Sequence, residues 1–209
     1  MKRMQRKSTP KVKDGRVQKK NAWQVGRGYL GEPRVAIERR KAGRGYRHVV
    51  TPHEVDRFLQ ILPVWDRWGQ SLDRIWIDSG SEFLSGWFRR REIGICAFPC
   101  NLEVAFAWCA INRDMDFIKR FDIPFWKIED EVSLENGFDV VCRFNRATAR
   151  YYTLMRVLVH ELGHHVDRET NKKQWCSRGE EFAENYGRDL ERRMWDDYVR
   201  EFGDPRVMN

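Results

Sequence analysis

Residues 147–167 read ATARYYTLMRVLVHELGHHVD, and this stretch decides the fold. Tyr151, Leu154, Met155, Leu158, Leu162 and Val166 recur every three or four residues, the spacing of one apolar face of an α-helix. Asn145 or Thr148 can cap its start, so the pattern predicts a helix of about 20 residues. Upstream the period is two. Residues 73–78 (DRIWID) alternate and stop at Ser79-Gly80, as a strand does. Residues 92–98 (EIGICAF), 105–111 (AFAWCAI) and 139–144 (DVVCRF) are further strand candidates. Between them, residues 114–135 hold a short helix near Phe117 and a break at Pro124. Before the strands, Thr51-Pro52-His53-Glu54 spells a capping box with Pro at the first helical position. Val55, Phe58, Leu59 and Leu62 continue that helix to Pro63, and the last helix spans about 178–201. A helix, short strands and then two helices predict an α+β domain. Its small, mainly antiparallel sheet lies beside the helix at 147–167.

The chain has 209 residues, 41% of them hydrophobic and 13% aromatic, with nine Trp, which is enough for a real core. No apolar run reaches the ~20 residues that span a membrane. The basic N-terminus is followed by no apolar stretch of the kind a secretory signal needs. The expectation is a cytoplasmic protein without a membrane contact. Cys96, Cys100, Cys109, Cys142 and Cys176 are odd in number and contain no C-x-x-C pair, so they are expected as reduced thiols in the core.

Charge divides the chain. Residues 1–47 hold 16 of the 39 Lys and Arg but only three of the 31 acids. The net +8 is therefore a +13 arm on a −5 remainder. Residues 1–22 have few aliphatic side chains and read as a disordered tail. Residues 23–47, with five glycines, read as a poorly ordered extension able to drape on the domain. The division expected is a basic arm at 1–47 and a domain at 48–209. Such an arm can neutralise phosphates, giving sequence-independent, salt-sensitive nucleic-acid binding.

The long helix ends on His160-Glu161-Leu162-Gly163-His164. Histidines four apart share a helix face and can present two imidazoles to one ion. Glu161, one position on, can reach a water at that ion without ligating it and serve as general base. A third ligand should come from downstream. Position 170, where a further histidine or aspartate would make one well-known arrangement, is Thr170. The final helix opens instead with RGEEFAENY, where Glu180 and Glu184 lie one turn apart and Glu181 points elsewhere. One of the two can hold the ion while the other accepts a hydrogen bond from a ligand histidine. Glu184 is twenty residues past His164, but using it leaves Arg188 one turn later. Using Glu180 leaves Glu184 well placed as the outer carboxylate, and the reading favours it. Asp167, seven residues after His160, is a further candidate for supporting a ligand or a helix end. His165 points about 100° away from His164 and is expected to be packed or solvated.

HELGHHVD followed by EEFAENY resembles the gluzincin pattern HExGHxxD…ExFAExF of lethal-factor-like catalytic domains and many bacterial and phage zinc peptidases. It is similar, more loosely, to the metallopeptidases that cleave phage repressors. The resemblance covers residues 145–200. It implies a zinc ion (Zn2+) held by His160, His164 and Glu180, with Glu161 as base, Glu184 behind a ligand, and a protein or peptide substrate. Lethal-factor-like enzymes carry a tyrosine before the glutamate helix, where residues 171–179 here offer Trp175. The oxyanion stabiliser is left to Tyr186, His165 or Arg188. The competing expectation is a nucleic-acid-associated zinc protein whose metal is structural or whose catalysis is vestigial.

Overall fold

The computed structural model of the chain describes residues 12–13, 16–17, 35–63, 65–129, 134–171 and 178–207. Most of the arm, with Trp175 and Cys176, lies outside them. Within the arm, β1 (Val12–Lys13) pairs antiparallel with β2 (Arg16–Val17). The stretch from residue 35 belongs to the fold, although the sequence assigned it to the extension. Strand β3 (Ala36–Arg39) buries Ile37 and enters the largest sheet, and β4 (Tyr46–Arg47) pairs with a strand of the domain. Four residues with one buried isoleucine carry too weak a period to register among glycines and arginines.

Helix α1 (Pro52–Ile61) begins as read. Thr51 accepts from the Glu54 backbone N–H at 3.2 Å, and the Glu54 carboxylate accepts from the Thr51 backbone at 2.8 Å. Val55, Phe58 and Leu59 are its buried face. After α2 (Trp65–Trp68) and a 3-10 turn, β5 (Arg74–Asp78) lies parallel to β3. Parallel neighbours need a crossover, and α1 lies on it. Strand β6 (Gly86–Arg89) and β7 (Glu92–Cys96) form a two-residue hairpin in which Arg90 takes φ 59°, the left-handed conformation such a turn needs. Among the described residues the sheet order is β3-β5-β7-β6, with β6 on an edge. β8 (Phe98–Pro99) pairs with β4, and β9 (Glu103–Phe106) starts a second sheet.

The apolar run at 105–111 divides. The strand stops at Phe106, and α3 (Trp108–Arg113) follows, with its first backbone N–H, that of Trp108, donating to the Asp139 carboxylate at 2.9 Å. Short apolar runs do not separate strand from helix by period alone. Helix α4 (Met115–Arg120) buries Phe117 as expected, and β10 (Phe125–Lys127) starts after Pro124. β11 (Val140–Arg143) completes the antiparallel sheet β10-β11-β9. The α+β class holds. Antiparallel pairing prevails among the small sheets, while the four-stranded one joins two parallel pairings to one antiparallel pairing.

The long helix is continuous over 146–170, in three parts: α5 (Arg146–Tyr151), a π-helical segment (Tyr152–Leu158) and α6 (Val159–Thr170). Asn145 and Thr148 cap it reciprocally. All six residues of the expected apolar face are buried. The widened turn has a local cause. The Thr153 hydroxyl donates to the Ala149 carbonyl at 2.8 Å, competing with the backbone N–H that an α-turn would place there. Helix α7 (Gly179–Phe202) then packs along α6. No described helix is long and apolar enough to cross a membrane.

Candidate metal centre

Two small residues set the distance between α6 and α7. A Cβ on Gly163 would lie 2.8 Å from the Ala183 Cα, so the glycine of HELGH and the alanine of EEFAENY let the two backbones touch. That contact brings the two histidines of α6 against the two glutamates of α7. His160 Nε2 is 3.1 Å from Glu180 Oε2, and His164 Nε2 is 3.4 Å from Glu180 Oε1. Zinc bonds of about 2.0–2.1 Å in a tetrahedron separate their ligand atoms by about 3.3 Å. The observed spacings therefore fit one ion at the centre of the group. Among the described residues, His160, His164 and Glu180 are the group whose ligand atoms all lie within 4.8 Å of one another.

The other nitrogen of His160 decides between the glutamates. His160 Nδ1 is 3.4 Å from Glu184 Oε2. A proton on Nδ1 donated to Glu184 leaves the Nε2 lone pair for the ion, as an outer carboxylate does for a ligand histidine. The hydrogen bond from His160 holds the Glu184 carboxyl down at about 2, with Arg156 and Arg188 reinforcing it against burial. His160 itself is held above its ordinary value. Burial opposes its charge, but the bond to Glu184 and the carboxylates of Glu161, Glu180 and Glu184 outweigh it. His164 goes the other way, lowered by burial and by the charge of His160. Its neutral form is the one that ligates.

Glu161 is 7% exposed and sits where α6 crosses the edge strand. A Cβ on Gly86, the first residue of β6, would lie 2.9 Å from Glu161 Oε1. Burial pushes the Glu161 carboxyl up to about 7, with His160 opposing and Glu180 adding. A carboxyl there exchanges protons near neutrality, as a general base must. Two residues along β6, Phe88 stacks on the His164 ring at 6.5 Å and meets His165 edge-on at 5.7 Å.

Asp167 makes hydrogen bonds to the start of α7. It is fully buried and accepts from the backbone N–H of Arg178 at 3.0 Å and of Gly179 at 3.3 Å, and from Arg178 Nε at 2.7 Å. It therefore caps α7 from the neighbouring helix and fixes the backbone just before Glu180. Burial alone would raise its carboxyl. The Arg178 guanidinium and the two backbone N–H groups outweigh that and hold it below the usual carboxylate range. Asp167→Asn should cost about 1–3 kcal/mol, the penalty for unpairing a buried bonded group, discounted because Arg178 is half exposed. A depressed carboxyl adds stability above its unfolded value of about 3.9 and loses it as pH falls through the folded value. Urea unfolding should then give a gap between wild type and variant that is constant above about pH 5 and closes in acid. A gap that does not change with pH contradicts the clasp.

His165 is fully buried. Its Nε2 lies 2.9 Å from the Ser71 hydroxyl and 3.2 Å from the Trp68 carbonyl, so it secures the turn before β5 and not the metal group. Arg188 pairs with Glu184 at 3.0 Å. Tyr186 lies about 200° around α7 from Glu184 and stacks on Phe182 at 6.1 Å. Sequence reasoning passed over Arg156, which is 3.9 Å from Glu184, 2.6 Å from Glu191 and bonded to Asp114. Its place one turn before His160 was the available signal. Asp114, from another part of the chain, offered none.

Comparison with protein-family models, with curated proteins and with solved structures finds no match to this chain.

Proposed function

We propose that the chain is a zinc-dependent peptidase of the gluzincin kind, with His160, His164 and Glu180 as ligands and Glu161 as general base. The observation that carries this reading is the approach of both Nε2 atoms to one carboxylate at 3.1 and 3.4 Å. The buried carboxyl of Glu161 lies in the next position on the same helix. Two imidazoles and a carboxylate are a donor set suited to zinc, and three protein ligands leave a position for a reactant. Bound there, zinc supplies Lewis acidity, lowering the pKa of a water towards ~7 and polarising a carbonyl.

The chain's own residues do the rest. Glu161 accepts the proton of the attacking water at its carboxylate and delivers one to the departing amine. Glu184 holds the proton on His160 Nδ1 and thereby the ring's orientation. Asp167 holds the first turn of α7, and with it Glu180. Among the described residues β6 is an edge strand and runs past Glu161, where an extended peptide finds backbone partners.

The test is cleavage of an unfolded protein by the full chain loaded with one zinc. A chelator should abolish cleavage and added zinc restore it. A zinc-loaded chain that leaves a broad panel of unfolded proteins and peptides intact overturns the reading.

A further inference from the structure

We propose that the cleft between residues 81–85, the β7–β8 junction and β9 is the side-chain pocket of this site and receives a large aromatic or aliphatic residue of the peptide; this rests on the peptidase reading. The cleft measures about 350 Å³, whereas the space beside His160 and Arg188 is about 10 Å³, room for a water at most. Small side chains make the room: Cys96, Ala97 and Ala105 line it where larger residues would close it. Phe98, Phe138 and Tyr152 supply aromatic walls. The lining combines these apolar side chains with polar ones, Ser81, Glu82, Ser85, Glu103 and Asn136, a mixture that can take an apolar side chain and fix its orientation.

Charge at the rim does not redirect it towards a cation. The Glu103 carboxylate is already taken by Arg143, with contacts of 2.6 and 2.9 Å. Glu82 lies on the exposed rim of the cleft. Phe83 and Leu84, beside it, are 68% and 54% exposed. Phe83 stacks on Phe138 at 6.0 Å, so an aromatic wall already stands in the open. Exposed apolar side chains continuous with a cleft mark a surface that a ligand covers.

Position ties the cleft to the metal group. Ser85 lines the cleft and is the residue before Gly86, which abuts Glu161. Its carbonyl accepts from the Cys96 backbone at 2.9 Å, continuing the β6–β7 pairing, and its side chain bonds to Tyr152. Ser85 of the pocket lining and Gly86, which abuts Glu161, are consecutive residues, with Cα atoms about 3.8 Å apart. A peptide whose carbonyl lies at Glu161 thus brings a neighbouring side chain to the mouth of the cleft.

The test uses the full zinc-loaded chain and a peptide series that differs at one residue: Phe, Leu, Ala or Lys. Wild type should favour Phe and Leu over Ala and Lys by about 100-fold in kcat/KM, the discrimination that an apolar pocket achieves. Ala105→Phe, which fills the cleft, and Phe83→Ser, which removes a wall at an exposed position, should each reduce that ratio to below about tenfold with zinc content unchanged. A ratio that neither variant moves overturns the pocket. So does a preference for Lys that disappears in Glu82→Gln. A second arm is independent of cleavage. NMR titration with N-acetylphenylalanine amide should perturb wild type at Phe83, Phe98 and Tyr152, and Ala105→Phe should abolish the effect. No perturbation in wild type contradicts the pocket, whereas perturbation without any cleavage contradicts the peptidase reading alone.

Discussion

Glu161→Gln is expected to retain one zinc per chain while cleavage of an unfolded substrate falls by about 10²–10⁴-fold, the usual contribution of a positioned general base. The substitution suits the question because it removes the proton acceptor and little else. Gln matches Glu in shape, and the position, 7% exposed and pressed against Gly86, has no room for a larger change. A neutral amide also removes the cost of a carboxyl that burial already pushes up to about 7, so the variant should be no less stable than wild type. Zinc content by elemental analysis and melting temperature by calorimetry separate these effects from the loss of activity. A variant that cleaves at the wild-type rate rules out Glu161 as the base. A variant that loses its zinc shows Glu161 to be part of the metal-holding group.

The second large effect concerns the ligands. His164→Ala and Glu180→Ala should each abolish stoichiometric zinc, because an ion left with two protein ligands is held too weakly to survive dialysis. Glu184→Gln should keep its zinc with affinity lowered about 10–100-fold, as loss of an outer carboxylate does. Competition against a chelator of known affinity reads all three. The order follows from geometry. Glu180 approaches both Nε2 atoms, whereas Glu184 approaches His160 Nδ1. Glu180 is also the more exposed, with 82% of its side chain open against 33% for Glu184, so its replacement disturbs little packing. Full zinc in Glu180→Ala, with none in Glu184→Gln, would reverse the two roles.

Much of the site was legible along the chain because helical spacing converts directly into geometry. His160 and His164, four apart, had to share a face, and Glu180 and Glu184 likewise. Capping signals worked for the same reason: Thr51 with Glu54 and Asn145 with Thr148 are contacts over three residues. The local reading failed where the deciding partner was remote. Asp139 bonds the first backbone N–H of the helix at 108–113, within a run that read as a strand, and β5 recruited residues 36–39 into the sheet. Asp167 is the instructive intermediate. Its spacing suggested a role behind a ligand or at a helix end, and the structure has it hold the start of α7 at the residues before Glu180.

By itself, then, the sequence determined the α+β class, the buried face of the long helix and a candidate His-His-Glu group with a carboxyl beside it. All of these depend on periods of two or 3.6 residues and on contacts within a turn or two. Only the tertiary structure decided which glutamate meets both histidines. That depends on how closely and in what register α6 lies on α7, which the contact of Gly163 with Ala183 and the clasp of Asp167 on residues 178–179 set across the gap between two helices. Such contacts are specified by shape and burial in three dimensions, and no spacing along the chain encodes them.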